Sequence, residues 1–227
     1  MIRMHPPAAG PVRGIIFDLW NTLAYNDHLP NPMVALARSF GISGPGWVKK
    51  IERGMMLRPL SGIEEAIASL SRDLGVALPA GEAADLARIW REACARTRLF
   101  EDVPGCLERL SVRCRLGLLS NTQSFDLEFL DEGVLGSHFG SRLLSCHAGL
   151  LKPDPALFLR MAGILRLEPR EILMVGDNLR DDVLGSEAVG MQALLIRRGD
   201  APLSFQESAA DRAPIRSLQP LLDLLGV

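Results

Sequence analysis

At 227 residues the chain is long enough to bury a full core, either as one large domain or as one domain carrying an insert. Hydrophobic residues make up 48% and charged residues 23%, and no apolar run approaches the length needed to span a bilayer, so the composition is that of a soluble globular protein. Lysine plus arginine total 25 against 27 acidic residues, a net charge of −2 that excludes a bulk positive field for nucleic acid or an anionic membrane surface; any phosphate site must be local.

The first residues, MIRMHPPAAGPVRG, have no apolar h-region and carry adjacent prolines, so they read as a frayed tail, neither a signal peptide nor a helix. Residues 12–18, VRGIIFD, form a short β-branched run that stops at an acid, the pattern of a buried parallel strand. From about 24 to 100 the spacing turns helical, in VALARSF, VKKIERGMML, IEEAIASLSRDLG and EAADLARIWREACART, with turns marked by Gly41, Gly44, Pro45, Gly46, Gly62, Pro79 and Gly81. This predicts a four-helix insert. Its GISGPG segment has no following lysine and no strand before it, so it reads as a loop and not as a phosphate cradle.

Beyond the insert, strands and helices alternate. Strands are predicted at 115–119, 142–145, 172–175 and 193–196, and helices at 105–110, 125–130, 155–166 and 181–189, with a last helix in the C-terminal IRSLQPLLDLLGV packed on the core. Alternation implies right-handed crossovers and a doubly wound, Rossmann-like parallel α/β sheet. The core is assigned to residues 1–23 and 100–227, and the small helical domain to 24–99. In such sheets the active site lies beyond the carboxyl ends of the strands. Three strands end at or next to residues able to do polar chemistry, namely Asp18, Ser120 and Asp177.

Four segments carry the chemistry: FDLWNTL (17–23), LLSNT (118–122), LLKPDP (150–155) and MVGDNLRDDVLGSEAVGM (174–191). In that order they resemble the four motifs of the haloacid dehalogenase superfamily, and EDVPGCLERL (101–110) is similar to the family's return into the core after its cap. The resemblance implies covalent catalysis by Asp18, whose attack on phosphorus or carbon splits one displacement into two. Ser120 would donate to a phosphoryl oxygen and Lys152 would meet developing negative charge, with Thr22, Asn121 and Thr122 as further phosphate contacts. Asp177 and Asp18, with the backbone carbonyl of Trp20, would make the all-oxygen site that Mg2+ prefers; Asp182 would be a ligand or stand just behind one. Asp181 is explained by the charge preference of a helix N-terminus. The partner implied is a small phosphorylated metabolite.

Position 20 departs from the pattern. Family phosphatases carry there a second aspartate that protonates the leaving oxygen, and an indole cannot replace it. Loss of a general acid–base removes roughly 10²–10⁴ in rate, less when the leaving group is already stable as an anion. Haloacid dehalogenases carry tyrosine there and expel halide unaided, yet they work without metal and replace the aspartate equivalent to Asp177. Three readings follow: a metal-dependent phosphatase lacking the usual acid, a 2-haloacid dehalogenase-like hydrolase, and a catalytically weak phosphate-binding or regulatory protein. Tyr25, Asp27 and His28, just after the first motif, are candidates for a substitute acid.

The helical insert resembles a cap that closes over substrate. Lys49, Lys50, Arg53, Arg58, Arg96 and Arg98 are candidates for a substrate anion, although basic residues on an amphipathic helix ordinarily form its solvated face. Trp47, Met55, Met56 and Trp90 read as insert core. Cys94, Cys106, Cys114 and Cys146 show no metal-like pairing and suggest reduced thiols in a cytoplasmic protein. His5, His28, His138 and His147 show no zinc spacing.

Overall fold

The structure is a computed structural model that describes residues 11–199 and 213–227; residues 1–10 of the expected tail lie outside them. In chain order, β1 (Gly14–Phe17) and β2 (Ala24–Tyr25) precede four helices, α1 (Pro32–Ser39), α2 (Trp47–Met55), α3 (Ile63–Leu74) and α4 (Ala80–Cys94). There follow β3 (Arg98–Leu99), α5 (Val103–Ser111), β4 (Arg115–Ser120), α6 (Gly133–His138), β5 (Ser141–Leu144), α7 (Ser145–Ala148) and α8 (Pro155–Leu165). The chain continues through β6 (Ile172–Gly176), α9 (Gly185–Glu187), β7 (Gln192–Leu195) and α10 (Gln219–Leu225).

Five strands form one parallel sheet in the order β5-β4-β1-β6-β7, the doubly wound arrangement expected. The pleat explains why the strands read as continuous apolar runs. Ile15 and Phe17 enter the hydrophobic cluster on one face while Ile16 enters the other; Leu173 and Val175 oppose Ile172 and Met174 in the same way. Helix α8 covers one face, and α5 and α10 the other, with Leu221 and Leu222 buried as the C-terminal pattern predicts.

The four helices between β2 and β3 bury a separate cluster that includes Leu36, Ile51, Met55, Ile63, Leu70 and Trp90. Antiparallel pairing of β2 with β3 makes the two-stranded stem from which the helices depart. Each helix shows the spacing predicted for it. The expected helix at 125–130 is a correction: only Glu128–Leu130 is helical, as a single 3₁₀ turn, and α6 begins later. Asp126 and Gly133 both sit at positive φ and interrupt any longer helix, while Phe125 packs into the insert's cluster against Trp90. The helix expected at 181–189 is present as far as Glu187, but it opens as a π-helical turn, Leu179–Leu184, running into α9.

One buried ion pair ties distant segments to the loop after β1. Arg198 donates to both Asp102 oxygens at 2.7 and 2.8 Å and, from two nitrogens, to the Thr22 carbonyl at 3.1 and 2.8 Å, while its guanidinium lies 4.4 Å from the centre of the Phe100 ring. Asp102 also accepts the Leu218 N–H. Asp102→Ala strands a buried guanidinium, so it is expected to cost near the lower end of the roughly 3–5 kcal/mol typical of a broken buried pair. Urea unfolding checks this; a change below about 1 kcal/mol would show that the pair is dispensable.

Candidate active site

Parallel strand order reverses at β1, so the crevice between β1 and β6 opens at their carboxyl ends. Asp18 follows β1 directly and its N–H donates to the Val175 carbonyl of β6 at 2.9 Å; Asp177 follows β6. The chain then turns sharply. Leu23 and Ala24 both donate to the Leu19 carbonyl, and Asn21 takes a left-handed conformation with φ of 58°. This turn leaves Trp20 on the wall of a cavity of about 810 Å³ that is also lined by Asp18, Asn121, Lys152, Asp177 and Asp182.

Lys152 stands at the centre. Its Nζ donates to Asp18 Oδ1 at 2.6 Å, to Asp182 Oδ1 at 2.6 Å and to the Leu119 carbonyl at 3.1 Å, with only 3% of its surface exposed. Asn121 holds the lysine's loop: its Oδ1 accepts the Lys152 N–H at 2.8 Å and its amide faces the Lys152 carbonyl. Asp182 reaches the lysine because Gly176 has no side chain; a Cβ there would collide with the Asp182 carboxylate. Asp182 Oδ2 also accepts the Asn178 N–H at 2.9 Å.

Carboxylate oxygens of Asp18, Asp177 and Asp182 lie within 4.8 Å of one another. Burial pushes the Asp18 carboxyl up to about 7, against the pull of Lys152. Asp177 is raised well above the ordinary carboxylate range by burial and by the charges of Asp18 and Asp182. Burial opposes the charge on Lys152, yet Asp18 and Asp182 together hold it above an ordinary lysine.

Not every expected residue reaches the cavity. Ser120, Thr22 and Thr122 are buried beside it without lining it. Among the described residues the hydroxyls of Ser120 and Thr22 have no hydrogen-bond partner. Thr122 departs from the phosphate-contact expectation: its hydroxyl accepts the Trp20 indole N–H at 3.1 Å and donates to Gln123 at 2.9 Å, so it pins the indole, which packs on Phe129. Asp181 does lie in the first turn of the π-helical segment, and it has a second role. It is buried and pairs with Lys49 at 2.5 Å, a role that a helix N-terminus does not explain.

Of the basic candidates in the insert, Lys49 alone lines the cavity, where it also contacts Glu52 at 2.7 Å and donates to the Lys152 carbonyl at 2.8 Å. Arg58 donates instead to Ser69, and Arg96 lies 4.0 Å from Asp27. Trp47, Met56 and Trp90 face the cavity as well as the insert's own cluster, so the division between core and pocket made from the sequence does not hold for them. Glu52, a buried acid of α2, carries no local sequence signal that distinguishes it from a solvated helical glutamate.

A family model described as haloacid dehalogenase-like hydrolase matches residues 12–190. The chain belongs to that family. This haloacid dehalogenase-like hydrolase is 30% identical over 228 residues to phosphoglycolate phosphatase 1 of Pseudomonas aeruginosa, covering 94% of the chain and 78% of that protein. It is 35% identical over 129 residues to phosphoserine phosphatase of Thermus thermophilus, covering 54% of the chain and 52% of that protein. Among solved structures, the HAD phosphatase from Thermococcus onnurineus aligns with a TM-score of 0.61 at 23% identity, covering 95% of this chain and 98% of that one. The 2-haloacid dehalogenase from Pseudomonas syringae pv. Tomato DC3000 aligns with a TM-score of 0.58 at 22% identity and the same coverage. These two structures share the fold and do not separate the activities.

Proposed function

We propose that this hydrolase is a magnesium-dependent phosphatase acting on a small phosphorylated metabolite through an aspartyl-phosphate at Asp18. The observation that carries the reading is a charge imbalance: three carboxylates converge, and among the described residues the buried cation paired with them is Lys152. When all are ionised, two negative charges are left over, the charge of one divalent cation. An all-oxygen donor set suits Mg2+, with Asp18, Asp177 and the Trp20 carbonyl as its holders and Asp182 beside them. When bound, the ion would neutralise phosphoryl oxygens that otherwise repel the attacking carboxylate.

The chain's own groups divide the remaining work. Asp18 forms the bond to phosphorus, Lys152 balances charge on the phosphoryl group, and Asn121 on the cavity wall would orient it, with the unpartnered hydroxyls of Ser120 and Thr22 beside the cavity as further candidate donors. Residues 24–99 act as a cap over the cavity, with 1–23 and 100–227 as the catalytic core. The similarity to proteins named phosphoglycolate phosphatase and phosphoserine phosphatase supports a small phosphorylated substrate. One observation favours a second reading, 2-haloacid dehalogenation: Trp20 occupies the acid's position, and a halide leaves without a proton.

Phosphate release from acyl, aryl and sugar phosphates with Mg2+, set against metal-free chloride release from 2-chloropropionate, separates the two. Silence in both assays with phosphate still bound would leave a binding or regulatory protein. Mg2+ at about a hundred times its Kd is expected to stabilise the fold by about 2.7 kcal/mol, or a rise in Tm of about 5–10 °C. Because the Asp18 carboxyl is pushed up to about 7, protons compete with the ion below that value, so the rise should shrink as the solution is acidified. An unchanged Tm at alkaline pH would remove the metal from the mechanism.

A further inference from the structure

The geometry points to Glu52, carried by the insert's helix α2, as the general acid–base that Trp20 cannot be. This role rests on the phosphatase reading. Among the described residues that line the cavity, the acids are Asp18, Glu52, Asp177, Asp181 and Asp182, and all but Glu52 come from the core. Asp18 is the nucleophile, Asp177 belongs to the cation site and Asp182 is salt-bridged to Lys152, while Asp181 and Glu52 share Lys49, Asp181 from the core and Glu52 from the insert. Glu52 lines the nucleophile's cavity from the insert, the part of the chain that would close over the leaving group.

Two of the three alternatives suggested by the sequence fall away on position. Asp27 is exposed and outside the cavity, and His28 is also outside it, held between the Pro30 carbonyl and Glu92. Tyr25 does line the cavity, but its ring is stacked on Phe100.

Glu52 is held in place and kept from water. Only 9% of its surface is exposed, its Oε2 faces the Asn121 amide at 3.4 Å, and Lys49 lies one turn earlier at 2.7 Å. Lys49 fastens the same helix to the core through Asp181 and the Lys152 carbonyl. The charged groups around Glu52 are thus Lys49 on its own helix, Asp181 on the π-helical turn and Lys152 on the loop before α8. Burial pushes the carboxyl up and Asp181 adds to this, while Lys49 and Lys152 oppose it; the balance favours the protonated acid more than in an ordinary glutamate.

In the first step the Asp18 oxygen bonds to phosphorus, the bond from phosphorus to the leaving oxygen breaks, and the Glu52 proton passes to that oxygen. In the second, Glu52 as carboxylate takes a proton from water as the water oxygen bonds to phosphorus. The bond from phosphorus to Asp18 breaks, which frees phosphate and restores both side chains.

Steady-state and pre-steady-state assays of Glu52→Gln with Mg2+ test the assignment, using glycerol 2-phosphate and p-nitrophenyl phosphate. On p-nitrophenyl phosphate, whose leaving group needs no proton, the variant should release about one p-nitrophenolate per chain in a burst and then turn over roughly 10²- to 10⁴-fold more slowly than wild type. On glycerol 2-phosphate it should lose rate by a similar factor with no burst. Wild-type turnover by the variant on both substrates, or equal loss on both without a burst, would overturn the role of Glu52 while leaving the phosphatase reading intact. A wild-type protein silent on both would remove that reading and this role together. An unaltered Mg2+-dependent rise in Tm of the variant verifies that its fold and cation site persist.

Discussion

Asp18→Asn is expected to lower turnover by on the order of 10⁴- to 10⁶-fold, the scale seen when a catalytic nucleophile is removed. An amide oxygen still accepts from Lys152 at the position of Oδ1, so the cavity should survive while the attacking oxyanion is lost. The same substitution is expected to raise Tm of the metal-free chain near pH 8. Burial sets the folded pKa of Asp18 at about 7, against 3.8 for the free side chain. Stability linked to this group is therefore fully present below 3.8 and lost as pH rises through 7. Asparagine mimics the protonated form, so its advantage should appear above neutrality and fade towards pH 4. Thermal melts of both proteins at several pH values, alongside the kinetic assay, check both halves. Turnover within tenfold of wild type would place the nucleophile elsewhere.

Lys152→Met should have the largest effect on folding. It leaves Asp18 and Asp182 buried without their shared cation and takes a donor from the Leu119 carbonyl, so the cost should reach the upper part of the roughly 3–5 kcal/mol expected for a broken buried pair. In a chain of this size that lowers Tm by on the order of 10 °C. The folded pKa of Lys152 is raised, so in the wild type its contribution persists through the neutral range and fades only in strong alkali. In the variant the penalty should ease on acidification, as the stranded carboxylates take up protons. Added Mg2+ should restore part of the loss by supplying positive charge to the same cluster. A Tm within about 2 °C of wild type at neutral pH would mean that the cluster does not depend on the lysine.

Much of this site was legible in the chain because its parts are local. An apolar run ending in Asp18, another ending in Ser120 and a third stopping one glycine before Asp177 each announce a strand with polar chemistry at its carboxyl end. Four helical periodicities between 24 and 100 announce the insert in the same way, since an amphipathic face is written at a spacing the eye can follow.

What failed to show depends on contacts between segments remote in sequence. Asp181 and Asp182 are neighbours, and a regular helix would turn them about 100° apart. Here they lie on a π-helical turn, and one meets Lys49 from the insert and the other Lys152 from the core. Thr122 reads as a phosphate contact until the Trp20 indole, 102 positions away, is found on its hydroxyl. The Asp102–Arg198 pair spans 96 positions and left no local trace.

The sequence by itself therefore determined the doubly wound core, the helical insert and the place of Asp18 at the end of the first strand, because strand ends and helix periodicity are set by neighbouring residues. Only the tertiary structure decided which charges share Lys152, where the Trp20 indole is fastened and that Glu52 faces the cavity. Those depend on burial and on partners that folding alone brings within hydrogen-bond reach.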